Sequence, residues 1–391
     1  MDFGGRDDYA TAMVMQPDGK VVLAGYAPGA SGEGISFAVA RLDRDGTPDA
    51  TFGQGGRVRV NFGSGNDQAY AVALQSDGRI LVAGFADVGT NRDFGLARLN
   101  VNGSLDASFG TNGKVTTSIG AAADRAYALL VQPDGKIVLG GTSDAGSTTG
   151  LDFALARYTA SGQLDPGFGT GGKVTTAVAK GSTSDTVYAL ALHEGRIFAA
   201  GGETDFMLAK YTAAGALDTT FGAGGTLAGL FRSTVGAARG LAVTRVDGQD
   251  RLLLAGNANN DTAAARLNLS GALDPTFGEG GRRVIAVSAR DWDEASALAV
   301  QADGNVVLGG WANDATTTGN FTVLRLTAAG QPDASFGQGG VVVTPLAPSG
   351  KNDRARALLL QPDGRVPATR VLLAGERVPG FSDFAATRYW P

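Results

Sequence analysis

One phrase returns along this chain at nearly regular intervals, and that regularity restricts the fold more than any composition does. Gln132-Pro133-Asp134-Gly135-Lys136-Ile137-Val138-Leu139-Gly140-Gly141 reads as a turn followed by a strand. Proline presets φ at the first central position of a β-turn, aspartate bonds its own backbone, and glycine takes the left-handed position. The apolar run Ile137-Val138-Leu139 is a buried strand ending in paired glycines. The phrase recurs as Gln16-Pro17-Asp18-Gly19-Lys20, Gln75-Ser76-Asp77-Gly78-Arg79, Gln301-Ala302-Asp303-Gly304-Asn305 and Gln361-Pro362-Asp363-Gly364-Arg365. Degraded versions at His193-Glu194-Gly195-Arg196 and Val246-Asp247-Gly248-Gln249 bring the copies to seven.

A second marker, Phe-Gly at Phe52, Phe109, Phe168, Phe221, Phe277 and Phe336, sets the period, with steps of 57, 59, 53, 56 and 59 residues. A third, Asp152-Phe153-Ala154-Leu155-Ala156-Arg157-Tyr158, has counterparts at Phe37, Phe94, Phe206, Phe321 and Phe384 and a worn copy at Ala263-Ala264-Ala265-Arg266. One period holds four strands: a (Lys114 to Ser118), b (Ala126 to Gln132), c (Lys136 to Gly141) and d (Phe153 to Thr159). Strand d alternates in character with period 2, and no segment sustains a helical period. Four short antiparallel strands repeated seven times predict an all-β, single seven-bladed β-propeller over residues 1–391, with mostly four-stranded blades. Aligning Phe3 with Phe62 puts Met1 to Gly5 at the tail of a seventh a strand, so the N-terminal segment is expected to close the ring with the C-terminal blade. The small alanines of b suit a crowded axis, which favours b as the innermost strand.

The phrase Leu-Asp-x-x-Phe-Gly-x-Gly-Gly-Lys-Val, together with Gln-Pro-Asp-Gly-Lys and Asp-Phe-Ala-Leu-Ala-Arg-Tyr, resembles the delta-60 repeat. The resemblance covers essentially the whole chain and departs most over Gly236 to Gly256. It implies a β-propeller from a large, often exported bacterial protein, with no assigned activity.

Composition narrows the chemistry. Glycine is abundant, 60 of 391 residues, while the apolar fraction of 43% is too high for disorder. Net charge is −5 from well-mixed residues, with no basic stripe to meet nucleic acid or an anionic membrane. There is no cysteine and one histidine, His193, which removes thiolate chemistry and starves zinc or transition-metal sites of ligands. No run approaches the ~18 apolar residues of a membrane span. The first residues lack the pattern of a signal peptide and look like an entry into the middle of a repeat, which points to a piece of a larger chain.

Residues that recur in every period are expected to serve the blade. Asp49, Asp106, Asp165, Asp218, Asp274 and Asp333 precede the Phe-Gly turn and are placed to cap it and to pair with the strand-d base (Arg41, Arg98, Arg157, Lys210, Arg266, Arg325, Arg388). A second set, Asp8, Asp67, Asp124, Asp185, Asp293 and Asp353, opens strand b. If b lines the axis, carboxylates such as Asp67, Asp124 and Asp353 could ring a channel mouth and take Ca²⁺, although a turn-capping role is the simpler expectation. Asp43, Asp45 and Asp49 resemble half of a calcium loop without its distal glutamate. Gly167 to Gly172 fits G-x-G-x-x-G and almost a P-loop, but the glycines open a strand where the motif needs a helix. His193 replaces the glutamine of a b–c turn.

Pattern-breaking residues are the better candidates for recognition. Trp292 and Trp311, with Asp291 and Asn313, lie on connections expected to share one face of the sixth period, as a stacking and hydrogen-bonding site for a sugar or peptide. The reading is a monomeric, non-enzymatic binding or scaffold module of an exported or surface bacterial protein, with a protein or glycan ligand and no cofactor. The alternatives are a propeller hydrolase with a channel-mouth cation and a structural spacer.

Overall fold

The recurring phrase folds as its turn chemistry requires. Gly135 takes a φ of 80°, its N–H donates to Gln132 O at 2.9 Å, and Asp134 Oδ1 accepts from Lys136 N at 3.1 Å. The computed structural model describes residues 2–4, 7–29, 34–63, 65–89, 91–144, 150–179, 184–288, 292–313, 319–346, 353–362, 369–377 and 383–389. Within these the chain forms strands and no helix, and the strands group into seven sheets. The fold is a seven-bladed, all-β propeller.

Blade 1 contains β1 (Tyr9–Met15), β2 (Val21–Pro28), β3 (Ile35–Leu42) and β4 (Arg57–Val60). Blade 2 contains β5 (Gln68–Leu74), β6 (Ile80–Val88), β7 (Asn91–Leu99) and β8 (Lys114–Thr117), and blade 3 β9 (Asp124–Val131), β10 (Ile137–Asp144), β11 (Leu151–Tyr158) and β12 (Lys173–Thr176). The fourth repeat carries β13 (Val187–His193), β14 (Arg196–Gly201), β15 (Met207–Tyr211) and β16 (Thr226–Leu227). Blade 5 has β17 (Gly236–Val246), β18 (Gln249–Ala258), β19 (Asp261–Asn268) and β20 (Arg282–Ile285); blade 6 has β21 (Asp293–Val300), β22 (Val306–Ala312), β23 (Asn320–Leu326) and β24 (Val341–Thr344). Blade 7 has β25 (Arg354–Pro362), β26 (Thr369–Arg377) and β27 (Asp383–Tyr389).

Sheet order is sequential and every pairing is antiparallel, so a blade runs b-c-d-a. Strand a of one period thus joins strand d of the period before it. Lys114–Thr117 pairs with Asn91–Leu99, not with the b, c and d strands that follow it. Of the N-terminal segment, Met1 and Gly5 lie outside the described residues. Phe3 N donates to Asp8 Oδ2 at 2.5 Å as Phe62 N does to Asp67 Oδ2 at 2.8 Å, so Phe3 and Phe62 occupy the same place in their repeats.

The chain divides into two compact units, residues 1–192 with 212–216, and residues 193–211 with 217–391. In each, apolar cores fill the gaps between successive blades. Val22, Phe37 and Phe52 of the first repeat pack with Ile80, Val82 and Leu99 of the second. Leu253, Ala255 and Phe277 of the fifth pack with Val306, Leu308 and Leu324 of the sixth. A sheet covered on both faces explains why the c strands open on apolar runs and are buried along nearly their whole length. The short a strands are half exposed and end their sheets, with Arg57, Arg59 and Lys114 on that edge to discourage further pairing.

Candidate functional site

The most repeated residues build a clasp between blades. In the second blade Arg98 Nε lies 2.8 Å from Asp106 Oδ2, Arg98 Nη1 donates to Ala160 O of the next repeat at 2.6 Å, and the guanidinium sits 4.4 Å over Phe109. Arg41–Asp49, Arg157–Asp165, Arg266–Asp274 and Arg325–Asp333 repeat the pair at 2.6 to 2.9 Å, and Lys210–Asp218 at 3.2 Å. The other carboxylate oxygen caps its own turn, as Asp106 Oδ1 does for Ser108 N at 3.0 Å. The following glycine N–H crosses to the neighbour, Gly110 N to Ser161 O at 3.0 Å. Hydrogen bonds from the hydroxyl and backbone of the residue two positions on, and the basic partners, outweigh burial and hold Asp106 and Asp333 below the ordinary carboxylate range.

The sequence-level metal candidates are engaged elsewhere. Lys20 Nζ stands 3.0 Å from Asp43 and 2.7 Å from Asp49, while Asp45 accepts from the Thr47 backbone and hydroxyl. Asp67 accepts from Phe62 N and Asp87 N, Asp124 from Ile119 N at 2.6 Å, and Asp353 from Leu346 N at 2.7 Å. Each caps the a–b connection of its own repeat. Burial pushes Asp67 and Asp124 above the usual carboxylate value, and Asp293 up to about 6 with help from Asp261. Among the described residues no group of three or more His, Asp or Glu is arranged for a metal ion. The Gly167–Gly172 turn opens β12, and its Gly169 and Gly172 N–H groups donate to Ala214 O and Phe168 O, so they offer no phosphate cradle. His193 is half-buried with Nε2 3.3 Å from Asp250.

A different feature aims side chains. The register slips by one residue where b meets c, at Ala10/Ala12, Ala69/Ala71, Ala126/Ala128, Ala238/Gly240, Ala295/Ala297 and Ala355/Ala357. The facing c residue is glycine each time. A Cβ there would lie 1.8 to 1.9 Å from a b-strand carbonyl oxygen, at Gly25, Gly84, Gly141, Gly256, Gly310 and Gly375. The paired glycines of the sequence phrase thus make room for a β-bulge, which bends the strand and re-aims the extra residue. That residue is Thr11, Tyr70 and Tyr127 in the first unit, and Arg239, Ser296 and Arg356 in the second. Tyr188 holds the same place in the sequence of the fourth repeat. Sequence reasoning passed over this position, yet a signal was present: a variable residue between two small, nearly constant ones.

In the first unit the bulge residues Tyr70 and Tyr127 belong to a row of rings. Tyr70 lies 4.9 Å from Tyr127, Tyr127 is 5.3 Å from Tyr188, Tyr26 is 6.2 Å from Tyr70, and Tyr9 stacks on Tyr26 at 4.8 Å. All five tyrosines are half-buried, so each keeps part of its surface exposed. Phe85 lies beneath, 6.1 Å from Tyr70, with Arg92 and Arg125 over its ring at 4.9 and 5.7 Å. Tyr70 Oη donates to Gln68 Oε1 at 2.6 Å, and Thr11 Oγ1 bridges Ala24 O and Ala69 O, tying blades 1 and 2 together.

In the second unit the same end of the sheets is charged. Arg239 stands 3.6 Å from Glu294 and Arg356 3.6 Å from Glu376. Trp311 pairs across the sheet with Glu294, and Arg354 of blade 7 stacks over its indole at 4.4 Å. Trp292 and Asn313 are brought together on the adjoining connections, where Asn313 N donates to Trp292 O at 3.3 Å. Trp311 is buried at 7% exposure, while Trp292 and Asn313 are half-buried. Asp291 lies outside the described residues.

Five segments, residues 16–52, 75–109, 132–168, 250–277 and 301–336, match the family described as "Domain of unknown function (DUF5122) beta-propeller". In these segments, which make up less than half of the chain, the sequence is similar to that β-propeller repeat. No curated protein matches it. Among solved structures it is similar to a catalytically inactive virginiamycin B lyase from Staphylococcus aureus bound to quinupristin, at 12% identity and TM-score 0.53, covering 96% of this chain and 94% of that one. It is also similar to the polysaccharide lyase Uly1, at 12% identity and TM-score 0.52, covering 97% of this chain and 89% of that one. At such identities the likeness is one of fold.

Proposed function

We propose that this β-propeller repeat protein is a non-enzymatic binding module that takes a glycan or an extended peptide on the tyrosine row of its first unit. The observation that carries this reading is the run of half-exposed rings from Tyr9 through Tyr26, Tyr70 and Tyr127 to Tyr188. Tyrosine offers an apolar face and a polar tip, with few rotatable bonds to freeze. A sugar presents an apolar C–H face beside hydroxyls, and a proline-rich segment presents a preformed extended helix that docks on aromatic grooves. Both suit a linear row better than a single ring would. Bulges supply the placement, and a rigid blade behind each ring limits the entropy lost on binding.

The hydrolase reading, with a cation held by Asp67, Asp124 and Asp353, has less support, because each carboxylate already accepts backbone N–H groups of its own turn. The repeat is read as the delta-60 type, and by that resemblance the module is assigned to an exported or surface protein of a bacterium, acting as a monomer within a longer chain.

Glycan and peptide arrays probed with the wild type and with a Tyr70→Ala, Tyr127→Ala variant test the proposal. Loss of two central rings is expected to weaken binding by tenfold or more, the scale of interface hot spots. Unchanged binding in the variant rejects the tyrosine row, and binding lost instead in a Trp292→Ala, Trp311→Ala variant moves the site to the sixth blade. A wild type that binds nothing on either array favours the spacer reading.

A further inference from the structure

In the first unit, β4 borders a cleft of about 590 Å³, a size usual for small-molecule sites. Gln54, Arg57 and Arg59 of blade 1, Asn102 and Ser104 of the turn after β7, and Phe3 of the N-terminal segment stand in its wall. No described residue of the wall is a carboxylate. Arg57 and Arg59 are two positions apart on β4, so their side chains leave the same face about 7 Å apart. Arg59 Nη2 donates to Phe3 O, and its guanidinium lies 5.6 Å over the Phe3 ring. Among the described residues the Arg57 side chain has no hydrogen-bond or ion-pair partner, and no carboxylate pairs with Arg59. Asp2, next to Phe3 in the chain, accepts from Gly4 N at 2.6 Å and is not part of the wall.

The next two repeats use the same places differently. Arg57 opens β4 as Lys114 opens β8 and Lys173 opens β12. Lys114 Nζ donates to Asn61 O at 2.7 Å and stands 5.8 Å over Phe62, and Lys173 Nζ donates to Ser118 O at 2.6 Å. Each lysine is thus spent on the carbonyl that follows the a strand one blade earlier. The residue two positions on is Thr116 in β8 and Thr175 in β12. In blade 1 both places hold arginine. Arg59 takes over the carbonyl contact and the ring, and Arg57 is left to the cleft. A position that closes the gap between blades elsewhere is here doubled, and half of it is unspent.

We propose that this cleft binds a sugar bearing a sulfate or phosphate ester, whose oxygens accept from Arg57 and Arg59 together. One guanidinium fork satisfies both oxygens of a carboxylate, whereas a tetrahedral ester offers three terminal oxygens and accepts from two forks at once. The cleft is larger than such a group alone, and the amides of Gln54 and Asn102 in its wall suit the hydroxyls of the sugar that carries it. Phe3 is buried beneath Arg59 and shows no open face on which a nucleobase could stack. Sulfate and phosphate esters share this chemistry. The inference is independent of the tyrosine row and stands if that reading fails.

The test titrates the full chain by calorimetry with glucose-6-sulfate and glucose-6-phosphate at constant ionic strength. Glucose serves as the neutral counterpart, sodium glucuronate as the carboxylate and inorganic phosphate as the bare anion. At least one ester is expected to saturate and to bind more tightly than all three controls. Arg57→Gln is expected to weaken that ester about tenfold or more, the scale of hydrogen bonds to a charged group. Arg59→Gln is expected to do the same, while the Tyr70→Ala, Tyr127→Ala variant binds the ester as the wild type does. Far-ultraviolet circular dichroism checks that the variants fold, and Arg57→Lys, which keeps the charge and loses the planar fork, replaces Arg57→Gln if that variant does not. Preference for one ester identifies the sulfated or the phosphorylated sugar as the source. The proposal is overturned if neither ester saturates, if any control binds as tightly, or if the Arg57 variant binds the ester as the wild type does.

Discussion

Replacing Asp274 with asparagine is the sharpest test of the clasp that joins the blades. Asp274 Oδ2 stands 2.8 Å from Arg266 Nε and 3.1 Å from Arg251 Nε, and Oδ1 accepts from Thr276 N at 3.0 Å and Thr276 Oγ1 at 2.7 Å. These contacts overcome its burial and lower its pKa from 3.8 to about 2. At 1.36 kcal/mol per unit, that difference is worth about 2 kcal/mol. Since the folded value lies below the unfolded one, the stabilisation is complete above about pH 4 and is lost as pH falls through about 2. Asparagine keeps an acceptor for Thr276 but removes the counter-charge from Arg266, whose side chain is only 4% exposed. Breaking a buried pair from one side costs about 3–5 kcal/mol. Partial exposure of Arg251, at 19%, and the retained turn cap place the expectation near the lower end, about 3 kcal/mol at pH 7. Repeat arrays open locally, so native-state exchange of the Arg266 and Asp274 amides, which bond Gly281 O and Arg266 O, reads this clasp better than a global melt. An Arg266→Met variant and the double variant complete a cycle, in which a coupling of more than about 1 kcal/mol is expected. A loss below about 1 kcal/mol, additive single variants, or an undiminished stability drop between pH 4 and 2 in Asp274→Asn would refute the reasoning.

Three further outcomes follow from the same geometry. Gly141→Ala drives a Cβ to 1.9 Å from Arg125 O and is expected to lower Tm by many degrees, whereas Gly171→Ala, with open space around it and a φ of 60°, costs only the left-handed strain of about 1 kcal/mol; equal effects would contradict the bulge account. Asp293, with its pKa raised to about 6 chiefly by burial, contributes stability that is present below about pH 4 and lost as pH rises through 6, so Asp293→Asn should gain on the wild type between pH 5 and 8 in urea titrations. Tyr158→Phe strands the buried Thr117 Oγ1, 2.9 Å from the lost hydroxyl, and should cost about 1–2 kcal/mol in the same assay.

Much of the architecture was legible beforehand because its causes are local. Pro133-Asp134-Gly135 specifies a turn by its own dihedrals and hydrogen bonds, and the alternation of Phe153, Leu155 and Arg157 specifies a strand. The period then counts the blades. The pairing partner of strand a was not legible in this way. Lys114–Thr117 follows the Phe-Gly turn and precedes its own b strand, and only the antiparallel register shows that it completes the sheet before it.

The site was harder to read. Treating every odd residue as a candidate led to Trp292 and Trp311; Asn313 N bonds Trp292 O on the connections, but Trp311 is not on one, because it lies buried within β22. That treatment passed over Tyr70 and Tyr127, which repeat just enough to look structural. The turn, the strand and the number of times they recur depend on residues a few positions apart, so the amino-acid order alone sets them. What the tertiary structure decided is where the side chains of b point. That depends on one extra residue slipped into the pairing with c and on a neighbouring glycine whose missing Cβ leaves room for it, so the direction belongs to two strands at once and to neither alone.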